Sequence, residues 1–527
     1  MRIDELWISN YKNLQDFTID LAENELISVV VGRNGTGKSN LIEAIVIIFR
    51  DLDLGERNIP FAYRIRYQIS GKTIEIDADP DRETRDRFKI KVLNSETSEI
   101  EKNLSINQFK NVEYLGKYRP RFLFAYYSGD SPRLEELFVT HKRNFYGDAR
   151  TGVERPLRPF FYAELIHSQF ALLTFFIRQG KDDTKIRKFM QDYLSIQSLD
   201  SVLFVMREPD WNSKEGDPRF WNARGTVQEI LDRLYKIALA PIRLNQRIPL
   251  EFRKSATKEH LYLYLSDAEA LQQLADNYPN QQEFFKALES MYLSDLISEI
   301  RIRFKIRQVD GSLIFRELSE GEQQLLMVLG LMRFTKEDES LFLLDEPDTH
   351  LNPAWSILYL DFIADIVGTQ QNNQVIILTH NPLTLAGLTK EQVKIMYRDE
   401  FTEEVSSSSA EDDPKGMGVA GILTSDIFGL RSTLDTETLQ ILDEKRVLSA
   451  QSKLTRDERQ RLDDLNEQLA KLKFTETVPD PLYELFVQKM MEIERKHVGQ
   501  IVLSQEEQAQ REKEALNILE KLLNEED

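Results

Sequence analysis

The chain has no cysteine among its 527 residues, so it forms no disulfide and holds no thiolate-bound metal. Histidine is scarce as well. None of His141, His167, His260, His350, His380 and His497 stands in a His-Asn-His or other metal-ligand spacing. No window approaches about 18 uninterrupted apolar residues, which argues against a membrane-spanning helix. Met1-Arg2-Ile3-Asp4-Glu5 lacks the apolar core of a signal peptide, so a cytoplasmic chain without membrane contact is expected. Basic charge is in deficit: 68 basic residues face 88 acidic ones, for a net charge of −20. Such a chain coats nucleic acid poorly, and any contact must use a local basic patch. What remains is ordinary for a globular protein, with 41% hydrophobic residues and length for about two to four domains.

The strongest positive signal lies near the start. Ile27 to Val31 is an apolar run, and Gly32-Arg33-Asn34-Gly35-Thr36-Gly37-Lys38-Ser39-Asn40 follows it. The spacing Gly-x4-Gly-Lys-Ser is that of a phosphate-binding loop. Glycines let the backbone turn its N–H groups toward an anion, and the helix beginning near Lys38 adds its positive end. Lys38 is placed to reach the β- and γ-phosphates of a bound nucleotide, and the Ser39 hydroxyl to ligate Mg²⁺.

Three weaker motifs follow in an order that strengthens the first. Leu318-Ser319-Glu320-Gly321-Glu322-Gln323-Gln324 opens an apolar helix, with Ser319 and Glu322 in the spacing of a capping box. Leu341-Phe342-Leu343-Leu344 then delivers Asp345 and Glu346 at the end of a buried strand. That placement suits a Mg²⁺ ligand at Asp345 and a water-activating base at Glu346. Val375-Ile376-Ile377-Leu378-Thr379 is a further buried strand, ending at His380.

With these residues in hand, the chain resembles the ABC-type ATPases of the SMC, Rad50, RecF and OLD group, in detail over residues 1 to about 60 and about 310 to 400. The resemblance implies an α/β fold: an ATPase head with a flanking antiparallel β lobe, a helical insertion and a C-terminal helical region. It implies ATP and Mg²⁺ as ligands. Lys38 and Ser39 match the Walker A residues, Asp345 the Walker B aspartate, Glu346 the catalytic glutamate and His380 the switch histidine. Ser319, Gly321 and Glu322 fall in the signature, and His350-Leu351-Asn352 in the D-loop. Tyr11, Lys12 and Asn13 follow the first strand where relatives meet the base. In that group the signature of one subunit closes over the nucleotide of another, which implies a head-to-tail dimer. One departure is plain. The strand Phe122 to Tyr127 ends at Ser128-Gly129 where a Q-loop glutamine should follow, so hydrolysis is expected to be slow.

Along the chain this reading sets residues 1–155 as the first half of the head with the β lobe, its strands at Tyr63–Ser70, Thr73–Ala78 and Phe88–Leu93. Residues 156–300 are expected to be mainly helical, and 301–400 to complete the head. Residues 401–420, with Ser406 to Ser409 and Glu411-Asp412-Asp413-Pro414, are expected as a polar linker. Residues 421–527 are expected as a helical, partner-docking region with a hairpin at roughly 436–472 and a last helical segment from Asp480. Two features stay open. Arg301, Arg303, Lys305 and Arg307 alternate with apolar residues, giving either a solvated sheet face or a surface that tracks phosphates. Trp211, Phe220 and Trp221, near Arg207 and Arg224, are either core aromatics or a stacking surface.

The segment Leu423 to Leu430, the hairpin and Asp480-Pro481-Leu482-Tyr483 resemble PtuA-type ATPases of Septu antiphage defence, related to ATPases found with retrons. No TOPRIM glutamate and Asp-x-Asp of an OLD nuclease is seen. The resemblance implies a bacterial cytoplasmic protein working with a separate PtuB-like HNH nuclease, with a retron reverse transcriptase and its RNA or DNA product as further partners. A RecF- or SMC-like repair ATPase acting directly on DNA is the alternative. A transporter cassette fails on the distance between Walker A and signature.

Overall fold

Alternation of apolar and polar residues builds the first strands, and unbroken apolar runs build those that carry the motifs. The computed structural model describes residues 1–472 apart from 22–24, 152–157, 178–182, 212–214, 252–253, 308–310, 336–338, 368–372, 400–401, 450 and 452–453, and beyond them 513, 517 and 518. It divides into two units, Met1–Leu430 and Arg431–Asp527.

In the first unit, β1 (Arg2–Tyr11) and β2 (Leu14–Asp20) precede β3 (Ile27–Gly32), which is buried along its whole length. β4 (Tyr63–Ile69), β5 (Lys72–Ala78), β6 (Phe88–Asn94) and β7 (Ile100–Leu104) follow. Next come β8 (Leu123–Tyr127), β9 (Phe160–Tyr162), β10 (Ile196–Arg207), β11 (Ile242–Glu251) and β12 (Lys254–Leu265). The series ends with β13 (Ile297–Ile306), β14 (Ser312–Ile314), β15 (Leu341–Asp345), β16 (Gln374–Leu378), β17 (Val393–Arg398) and β18 (Val405–Ser409).

These strands form three sheets. An antiparallel sheet runs β2-β1-β4-β5-β6-β7, which is the expected β lobe with three more strands. The central sheet runs β18-β17-β3-β16-β15-β8-β9 and is parallel except at β18. Its inner strands β3, β15 and β16 are buried along their whole length because both faces are covered. Successive side chains part to opposite sides: Val29 and Val31 join one core, and Val30 joins the other with the helix Lys38–Leu54. Leu341 and Leu343 likewise face away from Phe342 and Leu344. Full burial of each such side chain is worth about 1.5–3 kcal/mol.

The third sheet, β11-β12-β10-β13-β14, corrects the expectation for 156–300. That stretch does hold helices, at Leu165–Phe176, Thr184–Lys188, Gly225–Ile237, Ala268–Ala275 and Gln281–Leu293, but they accompany a long antiparallel sheet that was not expected. The cause lies partly in β10, whose pairing with β13 shifts register between Ile196 and Ser198 and between Leu199 and Ser201. Each bulge breaks the two-residue period by which a strand is recognised. The linker is corrected as well. Ser406 to Ser409 belong to β18, antiparallel to β17, and the Ser407 hydroxyl donates to the Thr18 carbonyl at 2.8 Å. The first unit continues to Leu430, past the expected boundary at 420.

The second unit, among its described residues, is a helical hairpin, Thr436–Ser449 and Arg456–Lys471. Arg461 grips Glu444 through two 2.7 Å hydrogen bonds, Thr455 and Glu458 form a capping box, and Leu465 and Leu469 are buried. The segment expected from Asp480 lies outside the described residues.

Candidate nucleotide site

Four parallel strands end side by side, and each delivers one motif. β3 leads into the phosphate loop, β16 into Thr379 and His380, β15 into Asp345 and Glu346, and β8 into Ser128. Open parallel sheets bind ligands in this crevice at the carboxyl ends of their strands.

The loop is held in a receptive shape. Gly35 and Gly37 have φ of +87° and +91°, a region that side chains other than glycine's rarely tolerate. Lys38 is buried, and its Nζ donates to the Gly32 carbonyl at 2.6 Å. Burial lowers its pKa, while Glu346 and Asp345 nearby oppose that shift. An ammonium parked on a carbonyl of its own loop exchanges that weak acceptor readily for a phosphate oxygen. Thr36 Oγ1 donates to the Arg33 carbonyl at 2.9 Å. Asn13 braces the loop from β1's end: its Nδ2 donates to the Gly35 carbonyl at 3.0 Å, and its Oδ1 accepts from Asn40 Nδ2 at 2.6 Å. Arg33 and Asn34 are exposed.

The acids face the loop. Asp345 is buried, and burial pushes its carboxyl up to about 6, against the pull of a hydrogen bond from Ser39. Its Oδ1 is buried without a hydrogen-bond partner. A buried, unpartnered carboxylate oxygen beside a hydroxyl fits a divalent cation with hard oxygen ligands, so Ser39 and Asp345 would hold Mg²⁺. Bound there, the ion supplies charge neutralisation at phosphate oxygens. Glu346 sits at φ +53°, and its N–H donates to the Leu378 carbonyl at 2.8 Å. His380 Nδ1 lies 2.6 Å from Glu346 Oε2. A non-glycine residue held in this region costs roughly 1–3 kcal/mol, which the surroundings must enforce.

The enforcing residues were not singled out from sequence. Asp348 is buried and accepts from Thr379 Oγ1 at 2.9 Å and from the Thr384 hydroxyl. Thr349 Oγ1 donates to the Glu346 carbonyl at 2.9 Å and to Ser128 Oγ at 3.3 Å, and Ser128 N–H reaches the Asp345 carbonyl at 3.2 Å. Ser128 thus stands where the glutamine is missing. Arg133, in the same loop, stacks over Tyr127 and pairs with the buried Glu43 at 3.0 Å. Glu43 also takes Lys12 and, at 3.0 Å, the Tyr11 hydroxyl. Asp348 and Thr379 adjoin the acid and histidine motifs, and that adjacency is a signal for them; nothing periodic marks the loop residues Ser128 and Arg133.

The signature stands apart. Ser319 caps the helix Glu320–Thr335: its N–H and hydroxyl each reach Glu322 Oε2 at 2.7 Å, and Glu322 N–H returns to Ser319 Oγ at 3.3 Å. A side chain at Gly321 would strike the His350 carbonyl, 2.6 Å away, so the helix start lies directly on the D-loop. Gln324 Nε2 donates to the Pro347 carbonyl at 2.6 Å, and His350 Nδ1 lies 3.3 Å from Glu320. Ser319 is exposed, and the side chains of Ser319 and Glu322 bond to each other and not to residues 32–40. Arg301, Arg303 and Lys305 are exposed on β13, in a different sheet. Trp211 and Trp221 pack against the core around buried Phe220, and their indoles donate to Ser294 and Glu259, as core aromatics do.

The P-loop, the strand order and the adjacent acids decide the architecture. The fold is that of an ABC-type ATPase head. Family models agree in two pieces: residues 1–156 match an AAA ATPase domain, and residues 207–386 match an AAA domain whose description names the AbiEii toxin and a Type IV TA system. The Septu protein PtuA of Bacillus mycoides (strain KBAB4) is 26% identical over 196 residues, which is 35% of this chain and 27% of that protein. The chain therefore matches about a quarter of the length of this curated relative. Among solved structures, the SMC head domain from Thermotoga maritima superposes with a TM-score of 0.32 at 13% identity, covering 78% of this chain and all of that one. The Smc head domain derived from Pyrococcus furiosus, with an extended coiled coil and bound to the C-terminal domain of ScpA, gives 0.32 at 14%, over 77% and 96%. The assignment rests on the strand order and site geometry rather than on these partial superpositions.

Proposed function

We propose that this head binds and hydrolyses ATP with Mg²⁺, as the regulatory subunit of a Septu-type antiphage defence complex in the bacterial cytoplasm. The observation that carries the ATPase reading is the convergence of Lys38, Ser39, Asp345, Glu346 and His380 at one edge of the central sheet. In this reading Lys38 and the loop N–H groups of residues 32–40 hold the triphosphate. Glu346, oriented by His380, takes a proton from the attacking water.

The outward-facing signature supports a composite site. Ser319 and the first N–H groups of its helix form an anion-binding end that the same chain's loop does not use. Two copies packed head to tail would place Ser319, Gly321 and Glu322 of one over the nucleotide of the other, burying a pair of ATP molecules about a two-fold axis. The likeness to PtuA supports the defence role, with a separate HNH nuclease of the PtuB kind as the controlled partner. The hairpin in 431–527 is the proposed docking region, and a retron reverse transcriptase with its nucleic acid is a further partner in systems that carry one.

Co-expression tests this. The chain and an HNH nuclease encoded beside it should co-purify, protect cells from phage together, and lose protection with Lys38→Ala. Protection by the chain alone, or copurification of metal-dependent nuclease activity with the isolated chain, would overturn the division of labour. The second reading, a repair ATPase acting directly on DNA, predicts sensitivity to DNA damage on deletion instead.

A further inference from the structure

The antiparallel sheet β11-β12-β10-β13-β14 uses only one of its faces for the core. Val202, Phe204, Leu261, Leu263, Ile300, Ile302 and Phe304 are buried. Alternate residues point the other way. Register places Arg301 beside Leu203 and Leu203 beside Tyr264, and in the next rows Arg303 lies between Ser201 and Ile314 and Lys305 between Ser198 and Ser312. Of these, Ser201, Leu203, Tyr264, Arg301, Arg303 and Ile314 line a groove of about 540 Å³, and Lys305 continues the row beyond it. Leu203 forms its floor, and Tyr264 and Ile314 are 37% and 38% exposed within it.

The charge of this face is unlike that of the protein. Glu299 lies between Arg301, at 2.9 Å, and Arg316, at 2.8 Å, so two guanidiniums share one carboxylate. Among the described residues, Arg303, Lys305 and Arg307 are exposed and no carboxylate pairs with them. In a chain of net charge −20, this row is a local concentration of positive charge. A row of exposed, uncompensated cations attracts a polyanion, whose binding releases condensed counterions. Residues two apart on a strand are about 6.6–6.8 Å apart, a spacing that suits successive phosphates of an extended polynucleotide. The exposed Tyr264 ring and the apolar floor offer stacking surface that only unpaired bases can reach.

We propose that this groove binds single-stranded nucleic acid, with the β13 cations along its phosphates and a base on Tyr264. The inference is independent of nucleotide chemistry at the central sheet, and binding can be read with no ATP present. Fluorescence anisotropy with a labelled oligothymidylate and the full chain should show binding that weakens with salt. The triple change Arg303→Ala, Lys305→Ala, Arg307→Ala should reduce the slope of log K against log salt by about 2, from roughly 0.7 per phosphate contact. Tyr264→Ala should weaken binding about tenfold with the slope unchanged, and Tyr264→Phe should restore it. Arg303→Lys should keep the slope. These side chains are exposed, and unchanged binding of a fluorescent ATP analogue in each variant would show an intact fold. Absence of oligonucleotide binding would overturn the proposal. So would a duplex that binds as tightly as the single strand, or a polyglutamate that competes equally and responds to the same changes, which would make the face a dock for an acidic protein.

Discussion

The edge of the central sheet and the open face of the β10–β14 sheet both collect charge, but they treat it in opposite ways. At the central sheet, Lys38, Asp345 and Asp348 are buried, and Asp348 is satisfied by two threonines. Burial moves the Lys38 and Asp345 pKa values in opposite directions, each toward the neutral form. On β13 the cations are exposed and stand in a row; Arg301 shares Glu299 with Arg316, while Arg303 and Lys305 have no carboxylate partner among the described residues. Buried groups act as a unit, so removing one leaves another uncompensated. Exposed cations act additively and are screened by salt. One region is built for a single small anion with a cation, the other for a repeating one.

The sharpest way to break this comparison is Lys38→Ala. It should abolish ATP binding in equilibrium measurements and reduce hydrolysis to background, since no other cation in the loop is buried against the phosphates. ATP affinity equal to the wild type's would end the assignment of the loop. Glu346→Gln should come next, slowing hydrolysis roughly 10²–10⁴-fold while ATP still binds, because the amide keeps the shape but takes no proton. Wild-type turnover by this variant would remove Glu346 as the base.

A stability test follows. Asp348→Ala leaves the hydroxyls of Thr379 and Thr384 without their shared acceptor and should cost about 1–3 kcal/mol in denaturant unfolding of the first unit. A change near zero would show that the network does not hold the Glu346 backbone in place. The smallest effect belongs to β13. Arg303→Ala alone should leave stability and ATP turnover unchanged, and should lower the salt slope of oligonucleotide binding by only about 0.7. A loss of ATP turnover there would join the two regions that the geometry keeps separate.

The motifs of the central sheet were legible because each is a short local pattern: an apolar run, then its chemistry. Gly32 to Ser39, Asp345-Glu346 and Thr379-His380 all sit where a parallel strand ends, and the S-x-x-E spacing at Ser319 became a real capping box. The sheet inside 156–300 was missed for a physical reason. In β10 the bulges around Ser198 and Ser201 interrupt alternation, and Val205 and Met206 are both buried. The apolar residues then fit a helix as well as a strand. His260 to Leu265 does alternate strictly, and that signal was available. β18 was read as a linker because serines carry no apolar alternation; its place is fixed by pairing with β17, a tertiary fact. Ser128 and Arg133 belong to a loop, where position comes from the fold and not from period.

The central claim is that a complete ATP site takes Lys38 from one copy and Ser319 from another, and mixing inactive variants tests it directly. Lys38→Ala subunits and Ser319→Arg subunits should each lack ATPase activity alone. Mixed, they leave one interface of each heterodimer with both halves intact, so part of the activity should return. If heterodimers form, as shown by differently tagged copies that co-purify, and no mixing ratio restores hydrolysis, the site closes within a single chain and the account is wrong.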